Sequence, residues 1–323
     1  MANIDDLLGS GEPWTVYRTL VDLAGYEETS ARAQAAKAEM LAHPLVQGLL
    51  GELLGWPGAV IASHKSAGQL YHKLAFLADI GLKKGDGPMA EIGKKVLEHR
   101  DGHGLICLPT NIPAHYGGTG ETAWAWSLCD APLNAYSTAK AGLADEAQTR
   151  VAVEYLLTFQ RDNGFPCAVS EQLGSFRGPG RKEDPCPYAN LLMLKLLAIF
   201  EDTKQSGGAK AAAECLLNLW ANSRTQHPYI FYMGDDFRKL KVPFIWYDIL
   251  HVADALSQYE TVRGDARFQD MLAVINAKAD AAGRFSPESD WKVWKDSGFA
   301  SKNKPSPWLT FLVAGINKRV DNK

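Results

Sequence analysis

The sequence predicts an all-α fold, an α/α toroid of about five to six pairs of helices, on the basis of three observations. A stretch at 97–105 (LEHRDGHGL) realigns with 157–165 (LTFQRDNGF), about 60 residues further along the chain. One helix of each repeat is polar on one side, whereas the other is apolar nearly all round. The loops between them are rich in Gly, Pro and aromatic residues and show no convincing alternating strand pattern.

The first helix of each repeat is predicted to lie on the outside of the fold. Residues 146–160 (EAQTRVAVEYLLTFQ) place apolar side chains at helical spacing with polar ones between them, as expected of a half-solvated helix. Further copies of the repeat begin at Leu217 and Ile275. Because the copies keep the same order, they indicate a true repeat rather than chance similarity.

The second helix of each repeat is predicted to be buried. Residues 188–200 (YANLLMLKLLAIF) and 246–256 (WYDILHVADAL) are apolar on almost every side, which is typical of a helix with packing partners all round. Helices of this inner type are predicted near 69–82, 130–142, 186–200, 248–259 and 306–320, with 14–23 as a candidate sixth.

Helix pairs of this kind bury their apolar faces against neighbouring pairs, and about five or six pairs complete a ring. The prediction is therefore a single domain over residues 1–323, in which 1–43 form an N-terminal helical lead-in and 44–320 form the repeats. An open solenoid of the same helix pairs is the alternative that the sequence leaves open.

The charge balance excludes several classes of partner. The chain has 34 Lys and Arg against 37 Asp and Glu, a net charge of -3, so no overall basic field attracts nucleic acid or an anionic membrane. No apolar run reaches the roughly 18 residues that span a bilayer, and the acidic N-terminus lacks the features of a secretory signal. Five scattered cysteines, an odd number, indicate free thiols in a reducing compartment, so a cytoplasmic location is predicted.

Equivalent positions at the predicted N-termini of the inner helices hold Gln69, Asp130, Cys186, Asp248 and Ser306. In a closed ring these positions would converge on one mouth, which makes the acids and the thiol among them candidates for catalysis. The candidate catalytic residues are Asp130, Asp184, Cys186, Asp248 and His251. The alternative is structural, because acidic residues are favoured at helix N-termini without any function, and a free Cys or a lone His often only fills the core.

Aromatic and cationic residues near the inner helices suggest a substrate pocket. The aromatic candidates, which could line an apolar pocket or fill the centre of the ring, are Trp126, Tyr188, Trp246, Tyr247 and Trp308. Cations of neighbouring repeats come just before inner helices, and those predicted to bind substrate are Arg177, Arg181, Arg238 and Lys239. Their matching positions predict a rim that holds an anionic group, with solvated surface as the alternative.

The end of one outer helix, Gln160-Arg-Asp-Asn-Gly164-Phe165, resembles the Q-x-x-x-G-[FW] element of the prenyltransferase and squalene-cyclase repeat superfamily. A segment at 180–197 (GRKEDPCPYANLLMLKLL) resembles the D-x-C segment that supplies two zinc ligands in protein prenyltransferase β subunits, which places Asp184 and Cys186 in that role. The third ligand of that family is a His near the start of the next inner helix, where this chain has Asp248, with His251 one turn further. The resemblance therefore implies zinc bound by Asp184, Cys186 and either Asp248 or His251, with an open fourth position.

Taken together, these features favour an enzyme with a central apolar pocket. The resemblance implies a terpenoid cyclase or prenyltransferase that acts on a prenyl-like or other small amphipathic anionic substrate, although the chain lacks the D-x-D-D motif with which squalene cyclases protonate theirs. Two alternatives stay open. One is a lyase or isomerase that works without a metal through Asp, His and Cys, and the other is a non-catalytic repeat scaffold that binds a partner. No cofactor other than zinc is suggested.

Overall fold

The computed structural model describes residues 4–176, 178, 180–228 and 230–321 of the chain. It is predominantly helical, with 52% helix and 5% strand, which confirms the helical character predicted from the sequence. Within this described part, no helix combines the length and the apolar character needed to cross a membrane. The α-helices are α1 (Ile4–Leu8), α2 (Pro13–Arg18), α3 (Ala31–Ala42), α4 (Pro44–Leu53), α5 (Leu70–Ile80), α6 (Met89–Glu98), α7 (Ala131–Lys140), α8 (Glu146–Leu157), α9 (Pro187–Leu197), α10 (Glu201–Lys204), α11 (Gly207–Asn222), α12 (Ile249–Ser257), α13 (Glu260–Arg263), α14 (Ala266–Asn276) and α15 (Pro307–Asp321).

The chain divides into two compact units. The central unit is Glu52–Gly234, and the terminal unit combines Met1–Gly51 with Asp235–Lys323. The single domain predicted over residues 1–323 stays a prediction.

Three buried helices lie side by side in the central unit, since α5 packs against α7 and α7 packs against α9. Nearly every residue of these helices is buried, whereas α8, which packs on α7, buries only one face. His64, which precedes α5, bonds Asp130 at the start of α7, and Asp79 in the last turn of α5 bonds Lys140 and Lys195 near the ends of α7 and α9. The three helices therefore run parallel.

The terminal unit also contains three neighbouring buried helices. There α15 packs against both α12 and α2, which continues directly into a π-helix at Thr19–Leu23. The backbone N–H of Trp308 at the start of α15 donates to Glu12 at the start of α2, and Arg319 near the end of α15 bonds Asp254 near the end of α12. The bonded ends show that these helices are parallel too.

The predicted starts of the inner helices are confirmed. The helices α5, α7, α9, α12 and α15 each begin directly after the predicted residue, which is, in that order, Gln69, Asp130, Cys186, Asp248 and Ser306. The candidate sixth helix at 14–23 is also present, as α2 with its π-helical continuation.

A short β-hairpin in the central unit was not predicted. Strands β1 (Leu108–Asn111) and β2 (Thr122–Ala125) pair antiparallel, with Leu108 opposite Ala125. Four residues are too few for a clear alternation, and Pro109 weakens the strand signal further. The absence of strands between the helices was therefore a wrong expectation at this loop.

The repeat also appears as a recurring backbone contact. In the central unit, Asn190 accepts the N–H of Phe165 (2.9 Å), and Phe165 accepts the N–H of Cys186 (2.7 Å). In the terminal unit, Thr310 accepts the N–H of Phe285 (3.0 Å), which in turn accepts the N–H of Ser306 (2.9 Å). Each copy thus ties the loop before an inner helix to that helix, which satisfies buried backbone groups. The recurring spacing found in the sequence therefore places the residues that make this contact.

Gly164 within this contact has a left-handed backbone, with φ of 105°, and a Cβ there would press on the side chain of Asn190 and on Cys215. We therefore expect Gly164→Ala to lower the free energy of unfolding by roughly 2 kcal/mol, measured by urea denaturation. Gly85→Ala is the matched control, because a Cβ at Gly85 meets no atom within 4 Å. Equal losses in the two variants would contradict this role of Gly164.

Candidate functional site

A polar cluster at the start of the inner helix α7 joins His64, Ser127 and Asp130. The Oδ2 atom of Asp130 accepts hydrogen bonds from His64 Nε2 (2.7 Å) and from Ser127 Oγ (2.5 Å), and the Ser127 Oγ lies 3.0 Å from His64 Nε2. Asp130 and Ser127 are almost fully buried, whereas the His64 side chain retains 13% of its exposure. The histidine is therefore the member of the cluster that a ligand can reach.

Asp130 does not act as an ordinary helix cap. It precedes α7, yet its side chain makes no capping hydrogen bond to that helix. Its Oδ1 instead accepts the backbone N–H of Ser127 (3.3 Å), and Ser127 Oγ accepts the N–H of Cys129 (3.2 Å). The turn at 127–130 thus aims the carboxylate away from its own helix and at His64. This geometry favours the functional interpretation of Asp130 over the structural one.

The backbone of His64 is held by two residues from the first turn of α5. Its carbonyl oxygen accepts hydrogen bonds from the Tyr71 hydroxyl (3.2 Å) and from His72 Nε2 (3.1 Å). Burial lowers the pKa of His72 to about 3, so this ring is neutral, and burial also raises the pKa of Tyr71, so the phenol keeps its proton. Both side chains therefore serve as fixed donors that position His64.

The arrangement supports proton transfer. Because Nε2 of His64 donates to the carboxylate, the neutral ring carries its lone pair on Nδ1, and no described residue hydrogen-bonds that atom. A carboxylate in this position fixes the tautomer of the imidazole and stabilises the imidazolium that forms when the ring takes a proton. His64 can thus act as a general base or acid at Nδ1.

Cys186 directly precedes α9, and its pKa is influenced by the thiol of Cys129 in the turn at 127–130. A hydrogen bond between the thiols of Cys129 and Cys186 lowers the pKa of Cys186 and raises that of Cys129. Cys186 is buried and Cys129 is partly exposed. The predicted candidate Cys186 is therefore paired with a cysteine that the sequence analysis had not selected.

Asp184 and Arg181 lie in a different environment, a cavity of about 1190 Å³ in the central unit. Asp184 Oδ2 accepts the backbone N–H of Arg181 (2.8 Å), which closes a local turn. Asp162 and Glu214 also line this cavity, so that among its described lining residues three carboxylates accompany the one guanidinium, that of Arg181. This composition does not favour an anionic ligand there.

In the terminal unit, Asp248 behaves as a helix cap. Its Oδ1 accepts the backbone N–H groups of Leu250 (3.1 Å) and His251 (3.0 Å), while no described group donates to its buried Oδ2. Burial raises the pKa of Asp248 to about 7. His251 donates from Nδ1 to the carbonyl of Trp246 (3.0 Å) and stacks on Phe244. These contacts are those expected of buried structural residues.

The predicted aromatic residues have defined packing partners. In the central unit, Trp126 donates to Asp101 (2.8 Å) and packs edge-on against Tyr155 of the outer helix α8. In the terminal unit, Tyr247 contacts the ring of Phe237, and Trp308 stacks on Phe311. Tyr188 is fully buried at the start of α9. The proposed lining of a central pocket by these side chains stays a prediction.

The predicted cationic rim is only partly visible. Arg177 lies outside the described residues. Lys239 pairs with Asp236 at 3.4 Å, and Arg238 beside it is half-buried. Convergence of these cations with Arg181 stays a prediction, because Arg181 belongs to the central unit whereas Arg238 and Lys239 belong to the terminal unit.

Among the described residues, no group of three or more His, Cys, Asp or Glu side chains is arranged to hold a metal ion. The zinc set implied by the sequence, Asp184, Cys186 and Asp248, draws on both units, and the predicted joint cluster of these residues with His251 likewise stays a prediction.

Comparison with known proteins gives no assignment. No protein-family model matches the chain, and no curated protein is significantly similar to it. The resemblance to the prenyltransferase and squalene-cyclase repeats therefore remains an expectation from the sequence.

Two members of the cluster, His64 and Ser127, were not selected from the sequence. His64 lies in the loop before α5, outside the helical repeat positions from which His251 was selected. Ser127 precedes Asp130 by three residues, a spacing that suggests only a helix start. A histidine in the loop before one inner helix, six positions ahead of its first residue, with an acid at the start of the next inner helix, was the one available signal.

Proposed function

We propose that the protein is an enzyme with an α/α-toroid fold in which His64 and Asp130 carry out general acid–base catalysis. The chemistry suits a lyase or isomerase, which removes a proton from a substrate carbon and returns one to another atom. The observation that carries the proposal is the 2.7 Å hydrogen bond between His64 Nε2 and a carboxylate that caps no helix.

The toroid part of the proposal is supported by the repeated architecture. Each unit contains three parallel buried helices, and the contact between Phe and the following inner helix recurs in both. Six such helices, flanked by outer helices, are sufficient for a closed ring of the kind predicted from the sequence.

In the proposed mechanism, His64 takes the substrate proton at Nδ1 while Asp130 stabilises the imidazolium. Ser127 holds the carboxylate through its Oγ, and Tyr71 and His72 fix the backbone of His64. The substrate is a small molecule, as the sequence analysis expects. Proton transfer by a positioned residue of this kind contributes roughly 10²–10⁴-fold to a rate.

The experiment is an unbiased search for turnover. Purified wild-type protein is incubated with a cell metabolite extract in D₂O, and mass spectrometry follows both loss of metabolites and incorporation of deuterium. We expect one metabolite or a small group to be converted, and His64→Ala to slow the conversion by roughly 10²-fold or more.

His103→Ala is the matched control, since His103 is exposed and stacks on Tyr155, which is not a member of this cluster. This variant is expected to keep the wild-type rate. An extract that wild-type protein leaves unchanged, or equal rates for wild type and His64→Ala, would contradict the proposal.

A further inference from the structure

The cavity of about 1190 Å³ in the central unit lies beside α11. One stripe of that helix forms a wall of the cavity, and its residues recur every three or four positions: Ala211, Glu214, Cys215, Asn218, Leu219 and Asn222. The loop after α8, the segment 180–187 before α9 and the loop 225–228 after α11 provide the other lining residues. Pockets for small molecules have volumes of roughly 300–1000 Å³, so this cavity has room for an extended ligand.

The charged side chains of this cavity are mostly acidic. Asp162, Asp184 and Glu214 contribute carboxylates, each from a different segment of the chain. Arg181 contributes the one guanidinium among the described lining residues. Its backbone N–H bonds Asp184 at 2.8 Å, but this neutral donor leaves the charge of the carboxylate in place. The described lining therefore carries an excess of negative charge that is distributed over three walls of the cavity.

Neutral polar side chains of the lining direct hydrogen-bond donors at the protein backbone. Asn163 and Asn222 each donate from Nδ2 to a backbone carbonyl group, at 2.9 and 3.1 Å. The hydroxyl of Thr225 and Nδ1 of His227 do the same, both at 3.0 Å. In its neutral form His227 then accepts at Nε2, and the other three side chains accept through their oxygens. Together with the carboxylates, these groups make the lining rich in acceptors, which suits a ligand that supplies donors.

We propose that this cavity binds a linear aliphatic polyamine, a ligand with two or more ammonium groups on a chain of methylene groups. Each ammonium group brings a positive charge and several N–H donors, which match the carboxylates and the acceptors of the lining. The apolar side chains of Pro187 and Leu219 in the same lining can contact the methylene groups. A neutral polyol would leave the excess negative charge unbalanced, and an anion would be repelled by it. The inference is independent of the acid–base chemistry proposed for His64.

The first test measures the binding of spermidine, a linear triamine, to the folded wild-type protein by isothermal titration calorimetry. We expect one saturable site whose affinity falls by about tenfold or more between about 50 and 300 mM NaCl, because salt screens the attraction between the ammonium groups and the carboxylates. Sorbitol is the neutral probe and succinate the anionic probe, and neither should bind. Titration without saturation, or binding of sorbitol or succinate as tight as that of spermidine, would overturn the proposal.

The second test locates the site with variants that remove one charge and keep the shape of the side chain. Asp162 and Glu214 are exposed lining residues, and Asp162→Asn and Glu214→Gln should each raise the Kd for spermidine about threefold to fivefold. Glu154→Gln is the matched control, because Glu154 is exposed on α8 and is not a lining residue of the cavity. This control should bind as wild type does. Equal weakening in all three variants would show that spermidine binds the acidic surface in general, which would overturn the proposal.

The third test places a cation in the cavity itself. Ala211 lies on the stripe of α11 that lines the cavity, so Ala211→Lys brings a covalently attached ammonium group to the same carboxylates. We expect the Kd for spermidine to rise by about tenfold or more, because like charges repel each other at short range. Ala211→Gln, which adds a long polar side chain without a charge, should weaken binding less, and thermal unfolding of both variants verifies that they are folded. If spermidine bound Ala211→Lys as tightly as wild type, its site would lie elsewhere and the proposal would be wrong.

Discussion

Replacement of Asp248 with Asn is expected to stabilise the protein at about pH 8 and to leave its stability at about pH 4 almost unchanged. Asp248 is fully buried at the start of α12, and no described group donates to its Oδ2. Burial raises its pKa from 3.8 to about 7, the backbone N–H groups and Lys241 lower it, and Asp236 raises it. An Asn keeps the capping acceptor but carries no charge.

The sign of this pH dependence follows from the proton that Asp248 binds in the folded protein. Between pH 3.8 and about 7 the folded protein keeps the Asp248 proton that the unfolded chain releases. The stabilisation from this proton is complete below the unfolded pKa and is lost as the pH rises through the folded pKa. A difference of roughly three pKa units corresponds to about 4 kcal/mol of stability that wild type loses as the pH rises. The Asn variant carries no charge at this position and should keep that stability at high pH.

The measurement is the difference in free energy of unfolding between the variant and wild type at each pH. The pH dependence of wild type alone would not isolate Asp248. Burial also lowers the pKa of His72 from 6.5 to about 3, so the stability linked to His72 rises with pH between these two values. Asp265→Asn is the matched control, since Asp265 caps α14 but its pKa is lowered by Arg267. This control should not gain stability at high pH. If Asp248→Asn lowered the free energy of unfolding equally at both pH values, relative to wild type, this result would contradict the account.

Removal of the carboxylate of Asp79 is expected to destabilise the protein by about 3–5 kcal/mol. Asp79 Oδ1 accepts Lys140 Nζ (2.7 Å) and the Tyr136 hydroxyl (2.6 Å), and its Oδ2 lies 3.2 Å from Lys195 Nζ. Lys195 is 5% exposed and Lys140 is 27% exposed. Burial raises the pKa of Asp79, but the two lysines outweigh it and hold the pKa well below its ordinary value. Asp79→Ala would leave a buried ammonium group without its carboxylate.

Urea denaturation near neutral pH measures this loss. Asp202→Ala is the control, because Asp202 pairs with Arg150 in an exposed ion pair, and such pairs contribute little. The double variant Asp79→Leu with Lys195→Met should recover part of the stability lost in Asp79→Ala, because it also removes the buried charge. If Asp79→Ala lowered the free energy of unfolding no more than Asp202→Ala does, the charged groups around Asp79 would be solvated, and the prediction would be wrong.

Hydropathy and repeat spacing were sufficient to predict the inner helices and the residues at which they start. Cys186 and Asp248 directly precede α9 and α12 as the alignment of the repeats required, because the apolar runs that follow them must begin at a loop and be buried on all sides. Spacing also identified Gly164 and Phe165 as a repeated element, although the partner Asn190 was visible only in the structure.

The functional cluster was less predictable. A repeat alignment compares equivalent helix positions, so it selected Asp130 and Asp248 alike, whereas the structure shows that only Asp248 caps its helix. The contact of Asp130 with His64 joins residues 66 positions apart, one of them in a loop, and no local pattern encodes such a contact. Asp79 and Lys195 meet for the same reason, through the parallel packing of α5, α7 and α9.

The most direct test of the central claim is the rate of the double variant His64→Ala with Asp130→Asn on the metabolite that wild type converts. If Asp130 acts through His64, the double variant should be no slower than His64→Ala alone, because residues that act as a unit have non-additive effects. Asp130→Asn alone should lower the rate while leaving the thermal unfolding temperature close to that of wild type. Losses that multiply in the double variant would show that the two residues act separately, and this result would contradict the account.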